Sequence, residues 1–173
     1  MVENILIGVL GSIVASAFFY FWLFSKKPEI AISERIAKDM MEGQTYYSIK
    51  VVNRTPRAAL DIRAMLCVTK TRQAPGGLTT TNTPITLEVS ELFSLGPCTS
   101  EQEPACYAAQ FLTKVDLDKE WGDDDHAVLN IFVYAKDEFS GFGKVFDHTF
   151  RGRANSIVRG RFKVKNSLDI AVH

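Results

Sequence analysis

The apolar positions of this chain fall into one long run near the N-terminus and many short alternating segments after it. Residues 5–24 carry no charge. At about 1.5 Å per residue they predict a helix of roughly 30 Å, which matches the hydrocarbon core of a bilayer. A soluble domain of this size rarely hides a helix of that length that is apolar on every side. The run therefore predicts a single transmembrane helix.

A secretory signal differs from this run, because it starts with basic residues, has a shorter apolar part and ends in a small-residue cleavage site. Here Glu3 stands at the start. The Ala-Ser-Ala element at 15–17 lies inside the run, before a mostly aromatic stretch at 18–24. We therefore predict that residues 1–27 form an uncleaved transmembrane anchor with short flanks.

From residue 28 onwards the apolar pattern has a period of two, which is typical of β-strands. The segment "TYYSIKVVN" places Tyr47, Ile49 and Val51 on one face. The segment "HAVLNIFVYA" is apolar on both faces apart from Asn130, which predicts a central strand. In "LDIRAMLCV" one face is apolar and the opposite face holds Asp61, Arg63 and Met65; the apolar face comprises Ile62, Ala64, Leu66 and Val68.

Turn signals separate these segments, and two further segments, "KVFDHTF" and "SIVRGRFKVK", alternate in the same way. The turn signals are "NRTPR", "QAPGG", "SLGP", "WGDDD" and "FSGFG". The pattern weakens over residues 91–121, where we expect a long loop with a short helix. About seven short strands with such turns predict a mainly β domain over residues 28–173, an antiparallel β-sandwich of immunoglobulin-like type.

The charges next to the apolar run predict its orientation. Lys26 and Lys27 follow the run directly, so the positive-inside rule places residues 28–173 in the cytoplasm. Tyr20 and Trp22 lie near that end, where amphipathic aromatic rings favour the membrane interface. The whole chain has 20 acidic and 20 basic residues, so no net charge favours a nucleic-acid polymer as partner.

The three cysteines, Cys67, Cys98 and Cys106, cannot all pair within one chain. In a reducing cytosol all three remain thiols. If the domain lay outside the cell instead, Cys98 and Cys106 would be the expected disulfide. A zinc site is disfavoured, because the chain has no C-x-x-C motif and no nearby histidine ligands.

Small residues recur every three or four positions along the apolar run and so share one face of the predicted helix. Such a face lets a second membrane helix approach closely. We expect association with another copy of this chain or with another membrane subunit, and the alternative is that glycine and serine are simply common in membrane helices. The residues are Gly8, Gly11, Ser12, Ala15 and Ser16.

Basic residues concentrate near the C-terminus. In "VRGRFKVK" they alternate with apolar residues, so we expect four of them on one strand face, where they would attract an anionic ligand or anionic lipid headgroups. The alternative is a solvated strand edge that its charges protect against aggregation, or one that Asp147 and the "DDDH" turn neutralise. The candidate anion-binding residues are Arg151, Arg153, Arg159, Arg161, Lys163 and Lys165.

Signatures of catalysis are absent from the sequence. There is no G-x-S-x-G motif, and the Gly143-Lys144 pair lacks the hydroxyl residue that a phosphate-binding loop requires. His148 alternates with Phe146 and Phe150, which is typical of a partly buried histidine in a strand. We predict no catalytic residues, no metal site and no cofactor.

The segments "YYSIKVVNRTPRAALDIRAMLCV", "LNIFVYAKDEFS", "VFDHTF" and "SIVRGRF" together resemble the cytoplasmic domain of inward-rectifier potassium channels over about residues 45–165. The resemblance implies an immunoglobulin-like sandwich and a fourfold assembly. The chain departs from that family in having one apolar run rather than two and no pore helix or selectivity filter. The matching positions are Asn53, Asp137, Glu138, Ile157, Gly160 and Phe162.

Two functional hypotheses follow from these patterns. The first is a single-pass, membrane-anchored, non-enzymatic cytoplasmic module that binds a partner or senses a ligand. The second is an oligomeric membrane effector or channel-like protein that a small anionic ligand, such as a nucleotide or a lipid, gates. Membrane lipid is the expected partner in both.

Overall fold

A computed structural model of the chain describes residues 2–98, 106–122, 124, 126–164 and 167–172, apart from the side chains of residues 2–6. Its elements in chain order are α1 (Val2–Phe24), β1 (Ile30–Ile32), β2 (Ile36–Met41), β3 (Gln44–Asn53), β4 (Ala59–Ala74), β5 (Gly77–Ile85), β6 (Glu91–Leu95), β7 (Ala108–Thr113), α2 (Leu117–Trp121), β8 (Ala127–Asp137), β9 (Gly143–Arg151), α3 (Arg153–Ser156), β10 (Ile157–Arg159), β11 (Arg161–Phe162) and β12 (Ile170–Ala171).

The strands form two main sheets, and the chain is mainly β with a sandwich-like core. One sheet has the order β1-β3-β2-β10, and β7 also pairs with β3. The other has the order β5-β4-β8-β9, and β6 also pairs with β4. The apolar faces of the two sheets pack together into one core. The largest fully buried side chains include Trp121, Tyr47, Phe111, Phe150, Ile36, Ile49, Ile62 and Leu66.

The period-two pattern predicts the buried faces correctly. Tyr47, Ile49 and Val51 are at most 2% exposed. On β4 the four residues of the apolar face are buried, and Arg63 and Met65 between them are exposed, whereas Cys67 is buried as well. Strand β8 lies between β4 and β9, as its apolar faces predict. Burial against the opposite sheet explains this agreement, because only alternate side chains of a strand reach the core.

The prediction of a long loop over residues 91–121 is wrong. This region contains β6 and β7, although the short helix is present as α2. Strand β6 has no strict alternation, since Leu95 is buried whereas Phe93 is 87% exposed. Strand β7 begins with two alanines, which have low strand propensity. Strand β6 is stabilised by pairing with β4, and β7 by pairing with β3. The pattern of apolar residues within a short segment does not predict such pairing.

The sheets are also not wholly antiparallel. Strand β10 pairs with β2 in parallel, with Ile157 opposite Ile36 and Arg159 opposite Lys38. The chain then turns at Gly160, whose φ of 137° lies in the region that favours glycine. A Cβ atom there would collide with the carbonyl of Ala171. The continuous strand predicted for "SIVRGRFKVK" is therefore wrong, because its described residues divide into β10 and β11.

The described residues near the C-terminus, 163–164 and 167–172, form the C-terminal segment, which contacts Lys50 on the outer face of β3. This lysine is only 4% exposed, although it points away from the core between Ile49 and Val51. Its Nζ donates hydrogen bonds to the carbonyl oxygens of Lys163 (2.7 Å) and Ser167 (2.8 Å). The buried ammonium group thus holds the C-terminal segment against the sheet.

Replacing Lys50 with methionine should destabilise the domain by about 1.5–3 kcal/mol, because two part-buried hydrogen bonds from a charged donor are lost. The measurement is the free energy of unfolding in urea, with Lys119→Met as the matched control. Lys119 is exposed and forms no ion pair within the described residues, so its replacement should change stability by less than about 0.5 kcal/mol. Equal stability of the two variants would contradict this role for Lys50.

Candidate functional site

The hairpin at 138–142, between β8 and β9, contacts the C-terminal end of α1 through aromatic side chains. The ring centroid of Phe142 lies 6.3 Å from that of Tyr20 and 5.7 Å from that of Phe24. Phe139 meets Trp22 edge to face at 5.6 Å. Such edge-to-face pairs are worth about 0.5–1.5 kcal/mol beyond their buried area. We call these five residues, two from the hairpin and three from the helix, the collar.

Polar contacts join the same two segments. The Ser140 hydroxyl donates to the carbonyl oxygen of Lys26 at 2.7 Å. The Lys26 ammonium lies 5.7 Å from the Trp22 ring centroid, and the Lys27 ammonium lies 3.3 Å from that of Phe24. Attraction between a cation and an aromatic face is worth about 0.5–1 kcal/mol at an exposed site. Both lysines are thus held beside the collar.

Asp137 holds the hairpin in its conformation. Its Oδ1 accepts hydrogen bonds from the backbone N–H groups of Phe139 (3.1 Å) and Ser140 (2.8 Å), and its Oδ2 accepts one from Arg57 Nε at 2.7 Å. The carboxylate is 1% exposed. Burial by itself would raise the pKa of Asp137, but the bonds from Ser140 and Arg57 outweigh it and keep this pKa below its usual value.

Asn53 ties the loop that follows β3 to the same region. Its Nδ2 donates to the carbonyl oxygens of Arg57 (2.6 Å) and Gly96 (2.8 Å), while its Oδ1 accepts from the backbone N–H and the hydroxyl of Thr55. Glu138 accepts a hydrogen bond from the backbone N–H of Ala58. The buried members of this network, Asn53, Thr55 and Asp137, are hydrogen-bonded, which makes it rigid, so the collar rests on a fixed support.

Three of the six positions that carry the inward-rectifier resemblance therefore meet beneath the collar, namely Asn53, Asp137 and Glu138. The other three are not part of this network. Ile157 lies on β10, Gly160 forms the turn after it, and Phe162 is buried on β11.

The predicted basic stripe is not one strand face. Arg153 begins α3, where its Nη1 donates to the carbonyl oxygen of Asp118 at 2.7 Å. Arg161 pairs with Asp39, and the Lys163 ammonium lies 3.7 Å from Asp169 Oδ2. Among the described residues these cations therefore meet Asp118, Asp39 and Asp169 rather than Asp147. Asp123 and Asp125 of the "DDDH" turn lie outside the described residues.

The remaining basic candidates differ in their surroundings. Arg151 and Arg159 are exposed and have no ion-pair partner within the described residues. Arg159 lines a cleft of about 430 Å³ beside Lys38 and Asp39. Lys165 lies outside the described residues. The six predicted residues therefore do not converge on one described anion site.

The small-residue face of α1 is open in the described chain. Residues 7–24 form a helix that is long and apolar enough to cross a membrane, and none of it is buried. A Cβ atom built at Gly8 or Gly11 would meet no other atom within 4 Å. The Ser12 hydroxyl donates to the carbonyl oxygen of Val9, within the helix itself. Nothing in the described chain packs against this face.

Sequence reasoning missed the hairpin half of the collar. The segment "FSGFG" predicts a turn, and its two phenylalanines were not singled out. The available signal was the pair of large aromatic residues in a turn, where polar residues are usual. Phe139 is 57% exposed, and its exposed ring lies beside an apolar helix.

Other chemistry-bearing residues show no further site within the parts of the chain that the structure describes. His148 is half-buried on β9, and its ring lies 4.6 Å from that of Phe150. No group of three or more His, Cys, Asp and Glu side chains there is placed to hold a metal ion. The cysteines are unpaired thiols: Cys67 is buried, Cys98 is half-buried and Cys106 is exposed.

Comparisons with solved structures give distant similarities, which include Spo0M and the target SoR45. No protein-family model matches the chain, and no curated protein matches it. Spo0M, a sporulation control protein from Bacillus subtilis, aligns at 12% identity and a TM-score of 0.41 over 72% of this chain and 49% of Spo0M, about half of its length. The structural-genomics target SoR45 aligns at 13% identity and a TM-score of 0.35 over 73% of this chain and 87% of the target. Both scores are too low to support an inference.

Proposed function

We propose that this chain is a single-pass membrane protein whose β-sandwich lies in the cytoplasm and acts as a non-enzymatic module for binding a partner or sensing a ligand. The observation that carries the proposal is the collar. It joins the end of an exposed apolar helix to a hairpin that the buried Asp137 network holds rigid. A rigid joint of this kind keeps the domain at a fixed place relative to the helix.

The exposure of α1 supports the membrane part of the proposal. Large apolar side chains along the helix are exposed, including Ile13 at 59%, Val14 at 67% and Phe18 at 73%. Full burial of one such side chain is more favourable than its exposure to water by about 1.5–3 kcal/mol of free energy. A bilayer supplies that burial. The collar then lies at the headgroup level, where tyrosine, tryptophan and lysine are favoured.

The immunoglobulin-like part of the proposal rests on the arrangement of the two sheets. Each sheet has a long central strand, and two shorter strands pair with different parts of the same edge of that strand. These are β1 and β2 on β3, and β5 and β6 on β4. Buried residues from both central strands meet in one core. This is the architecture of a two-sheet sandwich, and the proposed similarity to the inward-rectifier cytoplasmic domain concerns this fold alone.

The proposed partners follow from the two open features of the anchor. Membrane lipid surrounds the apolar side chains of α1. A second membrane helix, from another copy or from another subunit, packs on the open face around Gly8 and Gly11, since membrane helices associate where small residues allow close approach.

Native cysteines test the orientation. In inside-out membrane vesicles a membrane-impermeant maleimide should label Cys106, which is exposed, and in right-side-out vesicles it should not. A Cys98→Ser background removes the half-buried thiol, and Cys106→Ser in that background is the matched negative control. Buried Cys67 should react only after denaturation.

The labelled chain should keep its full mass of 19.3 kDa, because the proposed anchor is not cleaved. Labelling of Cys106 in right-side-out vesicles would contradict the cytoplasmic orientation. A smaller mass that lacks the apolar run would identify that run as a cleaved signal.

A further inference from the structure

The hairpin of β4 and β5 projects from the sandwich as an exposed arm. Strand β8 pairs with β4 only as far as Lys70, opposite Ala127. Beyond this point β4 pairs with β5 alone, up to Ala74 opposite Gly77. Residues 77–84 of β5 are all exposed. The arm therefore contributes almost nothing to the core of its own chain.

The outer edge of β5 lacks the usual protection of an edge strand. Natural edges carry charged residues, prolines or bulges that discourage pairing with another strand. Strand β5, "GLTTTNTPI", has no charged residue, and Pro84 is its only proline. Strand β9, at the opposite side of the same sheet, carries Lys144, Asp147 and Arg151. The β5 edge is therefore open to an added strand.

The backbone groups that face outward follow from Pro84. Proline has no N–H, and in an edge strand it occupies a position whose N–H would point away from the neighbouring strand. The two-residue period then turns the N–H and C=O groups of Leu78, Thr80 and Asn82 outward as well. Thr69 and Asn82 are opposite each other in the register, and the Thr69 hydroxyl donates to Asn82 Oδ1 at 2.8 Å. Side chains this close are typical of an antiparallel pair whose backbone groups are not hydrogen-bonded to each other.

The charge of the arm indicates what kind of strand would be added. Lys70 and Arg72 are the only charged residues over 69–85. Their register partners, Thr81 and Thr79, place both cations on one face of the arm. Neither has an ion-pair partner among the residues that the structure describes. An added strand with acidic side chains at alternate positions would complement them.

A second copy of this chain does not fit the β5 edge as an antiparallel strand, and this step rests on the proposed function. Strand β4 starts beside the collar, where Ala59 pairs with Asp137, and reaches the tip of the arm at Ala74 about 50 Å further on. The arm thus points away from the membrane. Copies anchored in one membrane would hold their β5 strands in the same direction, so two β5 edges cannot pair antiparallel.

We propose that the outer edge of β5 binds an extended acidic segment of a partner protein as an additional β-strand. Backbone hydrogen bonds from Leu78, Thr80 and Asn82 supply the pairing, and Lys70 and Arg72 select acidic side chains. This mode of recognition takes its affinity from main-chain bonds and its specificity from alternate side chains.

The test uses the full chain in nanodiscs of zwitterionic lipid. The probe is a fluorescent seven-residue peptide that alternates valine and glutamate, and its control alternates valine and lysine. Fluorescence anisotropy should show binding of the glutamate peptide that weakens as salt rises. Thr80→Pro, which removes an outward N–H, and the double variant Lys70→Gln, Arg72→Gln should each weaken it at least about tenfold. Thr80→Val should bind like the original chain.

Three results would overturn the proposal. They are no binding of the glutamate peptide at low salt, equal binding of the lysine peptide, or unchanged binding by both the proline and the glutamine variants. A Thr80→Cys cross-link between two chains without peptide would identify a second copy as the occupant instead. Co-elution of the chain with nanodiscs tests the anchor separately, so failure of the anchor and failure of the β5 site are distinguishable.

Discussion

Arginine at Leu10 and Val14 should release this chain from membranes. Both residues lie in the middle of α1, where they are exposed and contact no other part of the described chain. An arginine at the centre of a membrane helix costs about 2.5–3.5 kcal/mol on insertion scales, so two cost about 5–7 kcal/mol. The measurement is extraction of membranes with alkaline carbonate. The original chain should stay in the pellet, and the double variant should appear in the supernatant.

The matched control places the same two charges on the domain instead of the helix. Val89 and Phe93 are 50% and 87% exposed. The variant Val89→Arg, Phe93→Arg should therefore stay in the pellet like the original chain. If the helix variant and this control fractionate alike, α1 is not what attaches the chain to membranes. Circular dichroism of both variants confirms that the β-domain remains folded.

Replacing Asp137 with alanine should destabilise the domain by about 3 kcal/mol. The variant leaves the partly buried Arg57 guanidinium without its carboxylate and the N–H groups of Phe139 and Ser140 without an acceptor. Asp147→Ala on the neighbouring strand is the matched control, since Asp147 is exposed and has no ion pair within the described residues. Urea unfolding should separate the two variants clearly, and equal unfolding free energies would contradict the role of Asp137.

The same carboxylate should make the domain sensitive to acid. The pKa of Asp137 is lower in the folded chain than in the unfolded chain. Its contribution to stability is therefore fully present above the unfolded pKa of about 4 and is lost as pH falls through the folded value. Melting temperatures of the original chain should drop in this acidic range, and those of Asp137→Ala should drop less.

The sheets could be predicted from the sequence because their alternation is a direct consequence of burial. Tyr47, Ile49 and Val51 face the core, and the alternation of apolar and polar residues in this short segment is enough to predict it. The collar could not be predicted, because Phe142 and Tyr20 are far apart in sequence and meet only through the fold. A turn sequence gives no information about what its side chains contact.

The prediction of a single strand face of basic residues is wrong for a related reason. The alternation of these residues predicted one strand, but the strand ends at Gly160, where the backbone adopts a conformation that other residues disfavour. The cations then meet carboxylates from distant segments, as Arg161 meets Asp39 and Arg153 meets Asp118. The spacing of residues along the sequence predicts which face a side chain would occupy in a regular strand. It does not predict an ion pair with a residue that is distant in sequence.

Quenching of Trp22 by brominated lipids tests most directly whether the collar lies at the membrane surface. The chain has two tryptophans, and Trp121 is 1% exposed inside the sandwich. In liposomes, bromine atoms near the headgroup should quench the emission of the original chain more strongly than bromine atoms near the ends of the acyl chains. The Trp22→Phe variant, which retains only the shielded tryptophan, should not be quenched. No quenching by any brominated lipid, or equal quenching of the Trp22→Phe variant, would contradict a collar at the membrane interface.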